Sequence, residues 1–122
     1  MSAFETWESL DGSARFSFSH SDKQFTTGVL TLRPGAEMAR HNRPLAFENL
    51  LQISGKCLMT LSDEDGGSEI KHILEMGSDL RMSKGQWHVH ANPYDVESIT
   101  LFKAEGDITA IMKIVRETMV RK

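Results

Sequence analysis

Apolar positions along this chain fall in short alternating runs separated by turn residues, the pattern of a protein assembled from many short strands. Residues 14–19 alternate, with Phe16 and Phe18 on one face. Residues 25–33 form a second run, rich in Thr, Val and Leu, that Pro34-Gly35 stops. Residues 48–53 and 56–62 flank Ser54-Gly55, a tight turn. The acidic, glycine-rich loop 63–68 joins 56–62 to 69–75 as a hairpin. Met76-Gly77-Ser78 is a further turn, and 79–82, 87–91 and 96–103 read as the remaining strands. The C-terminus differs: Ile108, Ile111, Met112, Val115 and Met119 recur at helical spacing. Asp107 can cap such a helix, and its basic last turn suits the helix dipole. The pattern therefore predicts an all-β sandwich or barrel with a short C-terminal helix over 108–120. A final strand over 108–115 is the rival reading of that stretch.

A length of 122 residues fits one domain, and such a chain can bury a workable core without disulfides or metal. Cys57 is the single cysteine and lies in the apolar run Cys57-Leu58-Met59, where it reads as a small buried hydrophobe. An unpaired thiol suits a reducing compartment, and the N-terminus lacks the basic-then-apolar form of a signal peptide. No apolar run is long enough to cross a bilayer. The expectation is a cytoplasmic protein without a membrane partner. A net charge of −3, with basic residues scattered except in the tail 116–122, gives no footprint for nucleic acid.

Chemistry-bearing residues concentrate in two stretches. The first runs from Gly35 through His41, Arg43 and Glu48 to Gly55. The second runs from Gly77 through Ser83, Gly85, His88 and His90 to Asn92. Side chains two apart on a strand share a face, so His41 pairs with Arg43, and His88 with His90 and Asn92. Three of the five histidines fall here, while His20 and His72 read as surface residues. If both stretches line one cavity, three imidazoles, a carboxylate and a guanidinium converge in it.

The two stretches resemble the signature motifs of the cupin superfamily. Gly35, His41, Glu48 and Gly55 match the first motif, G-x5-H-x-H-x3,4-E-x6-G, with Arg43 in place of its second His. Gly77, Gly85, His88 and Asn92 match the second, G-x5-P-x-G-x2-H-x3-N, with Ser83 in place of Pro. The resemblance implies a double-stranded β-helix, or jelly-roll barrel, spanning 1–122. In it lie N-terminal strands at 14–33, motif one at 35–55, motif two at 77–92, a strand at 96–103 and the helix at 108–120. It further implies a pocket at one barrel mouth, a homodimer, and a divalent metal held by His41, Glu48 and His88.

Arg43 cannot be a ligand, because it has no free lone pair and keeps its proton. Two outcomes stay open. In one, His90 supplies the missing imidazole. The ion, Fe, Mn, Ni or Zn, then keeps positions for substrate, and Arg43 clamps an acidic group. In the other, Arg43 pairs with Glu48 and the pocket is metal-free, since an unpaired buried charge costs roughly 3–5 kcal/mol. His90 is either a ligand and proton carrier or a hydrogen-bonded wall residue. Trp87 and Phe47 are candidate substrate contacts, as are Met38 and Met82, with ordinary core packing as the alternative. Tyr94, the only phenol, is a candidate for proton transfer at the pocket rim. Asn92 and Gly85 read as turn-fixing residues, and Asp95 and Glu97 as solvated. Two functions follow. One is a metal-dependent enzyme of oxygenase, isomerase, decarboxylase or lyase type acting on a small acidic or sugar-like molecule. The other is a metal-free binding or sensor module that uses Arg43.

Overall fold

The computed structural model describes residues 4–122. The first three residues of the expected 1–122 domain, and of the N-terminus read above as carrying no leader, lie outside the described residues. The elements in chain order are β1 (Glu5–Glu8), β2 (Ala14–Ser21), β3 (Phe25–Leu32), β4 (Ala46–Ser54), β5 (Cys57–Ser62), β6 (Ile70–Leu74), β7 (Asp79–Met82), β8 (Trp87–Ala91), β9 (Ser98–Gly106), α1 (Thr109–Thr118) and β10 (Val120–Arg121).

The strands form two facing antiparallel sheets. One is ordered β10-β1-β2-β3-β9-β4-β7 and the other β6-β5-β8. The segment 35–43 runs along the free edge of β8 through the bridges Glu37↔Ala91 and His41↔His88, so it extends the smaller sheet. Inward and outward positions alternate as the strand period demands: Thr26, Gly28, Leu30 and Leu32 of β3 and Ala46, Glu48, Leu50 and Gln52 of β4 face the interior. This is the all-β barrel that the strand pattern predicts, and the jelly roll that the cupin resemblance implies.

Three apolar clusters fill the space between the sheets. Phe18, Ala46, Ala104, Ile108 and Met112 pack at one mouth; Leu50, Cys57, Met59, Leu74 and Met82 at the centre; Ala14, Leu30, Leu32 and Ala36 beside them. Phe102 touches all three, and its ring meets Phe16 and Phe18 edge-on at 6.0 and 5.8 Å. Cys57 is fully buried in the central cluster, as its apolar surroundings imply. Opposite the helix-covered mouth, Gln52, Ser98 and Thr100 form a buried hydrogen-bonded group, with Thr100 Oγ1 donating to Gln52 Oε1 at 2.6 Å.

Departures from the sequence reading lie at element ends. The helical reading of the C-terminus holds, but α1 stops at Thr118. Met119 is extended, and Val120–Arg121 pair with β1, whose outer edge would otherwise be open. Neither β1 nor β10 was legible, because both are too short to show a period. Strand β4 starts two residues before Glu48, and β9 spans Ser98–Gly106, since Ala46 pairs with Gly106 and brings both ends into register. Val96 is an exposed loop residue. The N-cap position is Ile108 and not Asp107, because α1 starts at Thr109; Asp107, one residue earlier, still accepts the Thr109 N–H at 2.9 Å. Among the described residues, no helix is long and apolar enough to cross a membrane.

Two motif glycines separate conformational from steric cost. Gly55 has φ +65°, and a Cβ there would collide with the Glu97 carbonyl oxygen; Gly77 has φ +88° with open space around it. Gly77→Ala should therefore cost about 1 kcal/mol, the penalty of a left-handed backbone alone. Gly55→Ala should cost at least about 3 kcal/mol, because the backbone must also move. Urea unfolding of the two variants checks the order.

Candidate metal and ligand site

Main-chain pairing brings the two histidine stretches together. The His41 N–H donates to the His88 carbonyl at 3.0 Å, and the His88 N–H donates to the His41 carbonyl at 2.9 Å. Residues directly opposite on antiparallel strands put their side chains on the same face, so both imidazoles enter the barrel. His90, two residues further along β8, joins them. Ring centroids are 4.2 Å apart for His41–His88, 5.1 Å for His88–His90 and 5.5 Å for His41–His90. Potential ligand atoms of the three histidines lie within 4.8 Å of one another.

A shared local device orients two of these rings. His41 Nδ1 donates to the Ala39 carbonyl at 2.7 Å and His88 Nδ1 to the Gln86 carbonyl at 2.8 Å, in each case two residues back. With the ring proton on Nδ1, the Nε2 lone pairs point inward, the tautomer a metal ligand needs. Gln86 is itself fixed, its side-chain amide donating to the Ser62 carbonyl at 2.8 Å. No sequence signal marks Gln86 or Ala39, because their contribution is a backbone carbonyl.

Glu48 and Arg43 complete the polar end of the site. Arg43 Nε lies 3.3 Å from Glu48 Oε1, and His88 Nε2 lies 3.2 Å from Glu48 Oε2. Both contacts are at ion-pair distance without hydrogen-bond alignment. Among the described residues, the buried side-chain polar atoms left without a hydrogen-bond partner are His41 Nε2, Arg43 Nε, Glu48 Oε2, His88 Nε2 and His90 Nδ1. All five belong to this one site, whereas the Gln52–Ser98–Thr100 group at the far end is satisfied. Two ligands of one ion with bonds of about 2.1 Å stand roughly 3.0–3.4 Å apart, so the His88–Glu48 separation suits a shared cation. The donor set of imidazoles and a carboxylate therefore fits a divalent first-row metal.

Electrostatics disfavour the charged forms of His41 and His90. Burial, then the Arg43 cation and His88, push His41 down from 6.5 to about 4. Burial, chiefly, holds His90 well below its ordinary value. Burial alone would raise Glu48, but His88 and the Arg43 cation outweigh it and hold the carboxyl at about 2. Burial lowers Arg43 while Glu48 opposes the shift, and a guanidinium remains charged regardless.

His41, Arg43, Glu48 and His90 line one end of a cavity of about 30 Å³. Its other walls are apolar: Phe16 and Phe18 from β2, Leu30, Met38, Leu50 and Phe102, and Ile108, Ile111, Met112 and Val115 at α1. Of the sequence-predicted residues, His41, Arg43, Glu48, His88, His90 and Met38 are thus brought together. The others are not. Phe47 alternates with Glu48 and faces outward under Arg81 and Lys84, 4.6 and 5.4 Å from its ring. Trp87 alternates with His88 and lies outside beneath Arg40, 4.5 Å away. Met82 is buried in the central core. Tyr94 sits elsewhere on the surface, with the Lys56 ammonium 5.5 Å from its ring. Asn92 causes that placement: its side chain donates to the Leu32 and Val96 carbonyls and accepts the Tyr94 N–H, which folds the loop away from the cavity. Asn92 is the turn-fixing residue expected. His20 and His72 are exposed, as expected.

The depressed histidines set an acid limit. A histidine whose folded pKa lies below its unfolded value stabilises fully above about pH 6.5, and that contribution falls as pH drops toward 4. Glu48 acts in the same sense at lower pH, from about 4.5 down to 2. Metal-free protein should lose on the order of 2 kcal/mol between pH 7 and 4.5 through His41 alone. His41→Asn should flatten that slope. Urea unfolding at several pH values in chelator measures both.

No protein-family model and no curated protein matches the chain. Solved structures do match in shape. The CENP-C cupin domain of Drosophila melanogaster superposes with TM-score 0.70 at 15% identity, covering 81% of this chain and 74% of that one. A Klebsiella pneumoniae protein with a double-stranded β-helix domain gives 0.69 at 20% identity, covering 80% and 81%. Oxalate oxidase gives 0.67 at 14% identity, covering 77% and 51%. Across the oxalate oxidase structures this chain spans about half of the partner's length, from 42% to 51%. Two antiparallel sheets enclosing one histidine-lined mouth, matched by these barrels, show that the chain has the cupin fold.

Proposed function

We propose that this protein binds one divalent metal ion through His41, His88 and His90, with Glu48 beside them, and acts on a small acidic or sugar-like molecule that Arg43 orients. The observation that carries the reading is the concentration of orphaned buried polar atoms: His41 Nε2, His88 Nε2 and Glu48 Oε2 face one another with no partner. Lone pairs opposed at 3.2 Å in a buried site call for a cation between them. His90 takes the role that Arg43 vacates in the first motif. Fe, Mn, Ni and Zn all suit such ligands. Bound there, the ion would supply Lewis acidity toward a carbonyl or enolate oxygen, or would activate water or dioxygen. Oxygenase, isomerase, decarboxylase and lyase chemistries are the candidates, and fold does not choose among them.

The protein's own residues supply the rest. Arg43, fixed beside Glu48, offers a planar fork to a carboxylate. An oxalate oxidase among the structural neighbours was solved with glycolate, a small acid, which supports that substrate class. The second reading, a metal-free binding module, draws on the Arg43–Glu48 ion pair, which already gives each charge a partner. The reading also includes a cytoplasmic location and a homodimer, the latter supported by exposed Leu51 and Leu101 on the outer face of the larger sheet. Light scattering should return twice the chain mass.

Metal analysis decides between the two readings. Protein purified without chelator should carry about one equivalent of a divalent ion, and His88→Ala should weaken its affinity about a hundredfold or more. Arg43→His removes a cation and adds a ligand, so it should strengthen binding at least about tenfold. Wild-type protein that takes up no ion, even when offered Zn or Mn, overturns the metal reading and leaves the binding module.

A further inference from the structure

The cavity is polar at one end only. Its charged and imidazole groups, His41, Arg43, Glu48 and His90, cluster at one pole, and the other ten lining residues are apolar. Arg43 is the single permanent cation among them. A ligand with a second charge or several hydroxyls would place them against Phe16, Phe102 or Ile111, where no partner exists and desolvation is uncompensated. At about 30 Å³ the space admits a water or two, against several hundred for an ordinary ligand pocket. An organic ligand must therefore displace a wall.

Helix α1 is the wall most easily displaced. It belongs to neither sheet ladder and presents Met112 inward, flanked by Ile108, Ile111 and Val115, while Ala110, Lys113, Ile114 and Glu117 face solvent. Two latches hold its far end. Arg116 donates to both Glu5 carboxylate oxygens at 2.7 and 2.9 Å. The strand pair β10–β1 is two residues long, with one further bond from the Lys122 N–H to the Thr6 carbonyl. Short ladders and exposed ion pairs are the contacts that open at low free-energy cost. Met38 and Met112, both lining the cavity, can repack around a variable shape.

We infer that the cavity's ligand is an amphipathic monocarboxylic acid, its carboxylate on Arg43 and its apolar chain lying where the inner face of α1 now packs. This deepens the proposed function, resting on its reading of Arg43 as anion clamp and not on the metal. It selects the acidic over the sugar-like substrate class, and makes α1 the door.

Calorimetric titration in chelator separates this inference from the metal reading. Butanoate, hexanoate and octanoate should bind with affinity rising about fourfold per added methylene. Gluconate and adipate should bind at least a hundredfold more weakly than octanoate. Arg43→Gln should weaken every monocarboxylate at least tenfold while keeping the chain-length trend. Glu8 and Val120 are cross-strand partners, so Glu8→Cys with Val120→Cys allows a reversible staple of the α1 latch. Cys57 does not compete, because burial raises its thiol to about 11. The oxidised double variant should lose octanoate binding, and dithiothreitol should restore it. Affinity independent of chain length, or gluconate equal to octanoate, overturns the ligand class. Equal binding by stapled and reduced protein overturns α1 as the door. Failure of metal uptake in the earlier test leaves all these outcomes readable.

Discussion

The pair of main-chain hydrogen bonds between His41 and His88 is the constraint on which the site depends. It fixes two residues nearly fifty positions apart directly opposite one another at the edge of the smaller sheet. Everything local follows from that register. Both side chains take the inward face, His90 follows by the two-residue period, and each of the paired rings turns its Nδ1 to a carbonyl two residues back. A slip of one residue would send His88 and His90 outward and Trp87 inward.

Polar groups inside this barrel are handled in two ways. At one end Gln52, Ser98 and Thr100 satisfy one another, which makes that end a fixed part of the core. At the other, Arg43 and Glu48 are buried as a pair, yet Arg43 Nε, Glu48 Oε2 and three imidazole nitrogens stay unbonded. Unsatisfied groups of this kind are costly in a dry interior, and their concentration sets this end apart from the satisfied one. Arg43 sets the charge of this end. It neutralises Glu48 before any ion arrives and, by its charge, helps hold His41 neutral. One arginine thus sets a positive charge beside both the carboxylate and the imidazole cluster.

Helix α1 ties the site to the core. Its inner residues belong both to the apolar cluster around Phe18 and to the cavity wall, so the same contacts that stabilise the mouth also seal it. Beyond side-chain packing, α1 is held by the Arg116–Glu5 ion pair and the two-residue β10–β1 ladder at the edge of the larger sheet.

The amino-acid sequence determined the strands and the residue types of the site, because both are local. Alternation in β2 and β3, the helical spacing of Ile108, Ile111, Met112 and Val115, and the ordered placing of Gly35, His41, Glu48, Gly77 and His88 all show within a few residues of text. Tertiary structure decided which of these meet. Phe47 and Trp87 are one residue from site members and face away, whereas Phe16, Phe102 and Ile111 are distant in the chain and line the cavity. Tyr94 is two residues past a motif position and is folded elsewhere by Asn92. Nearness in sequence fixes only the face on which a side chain emerges. Nearness in space is set by inter-strand register and by where α1 docks, and those depend on contacts between segments that no local pattern encodes.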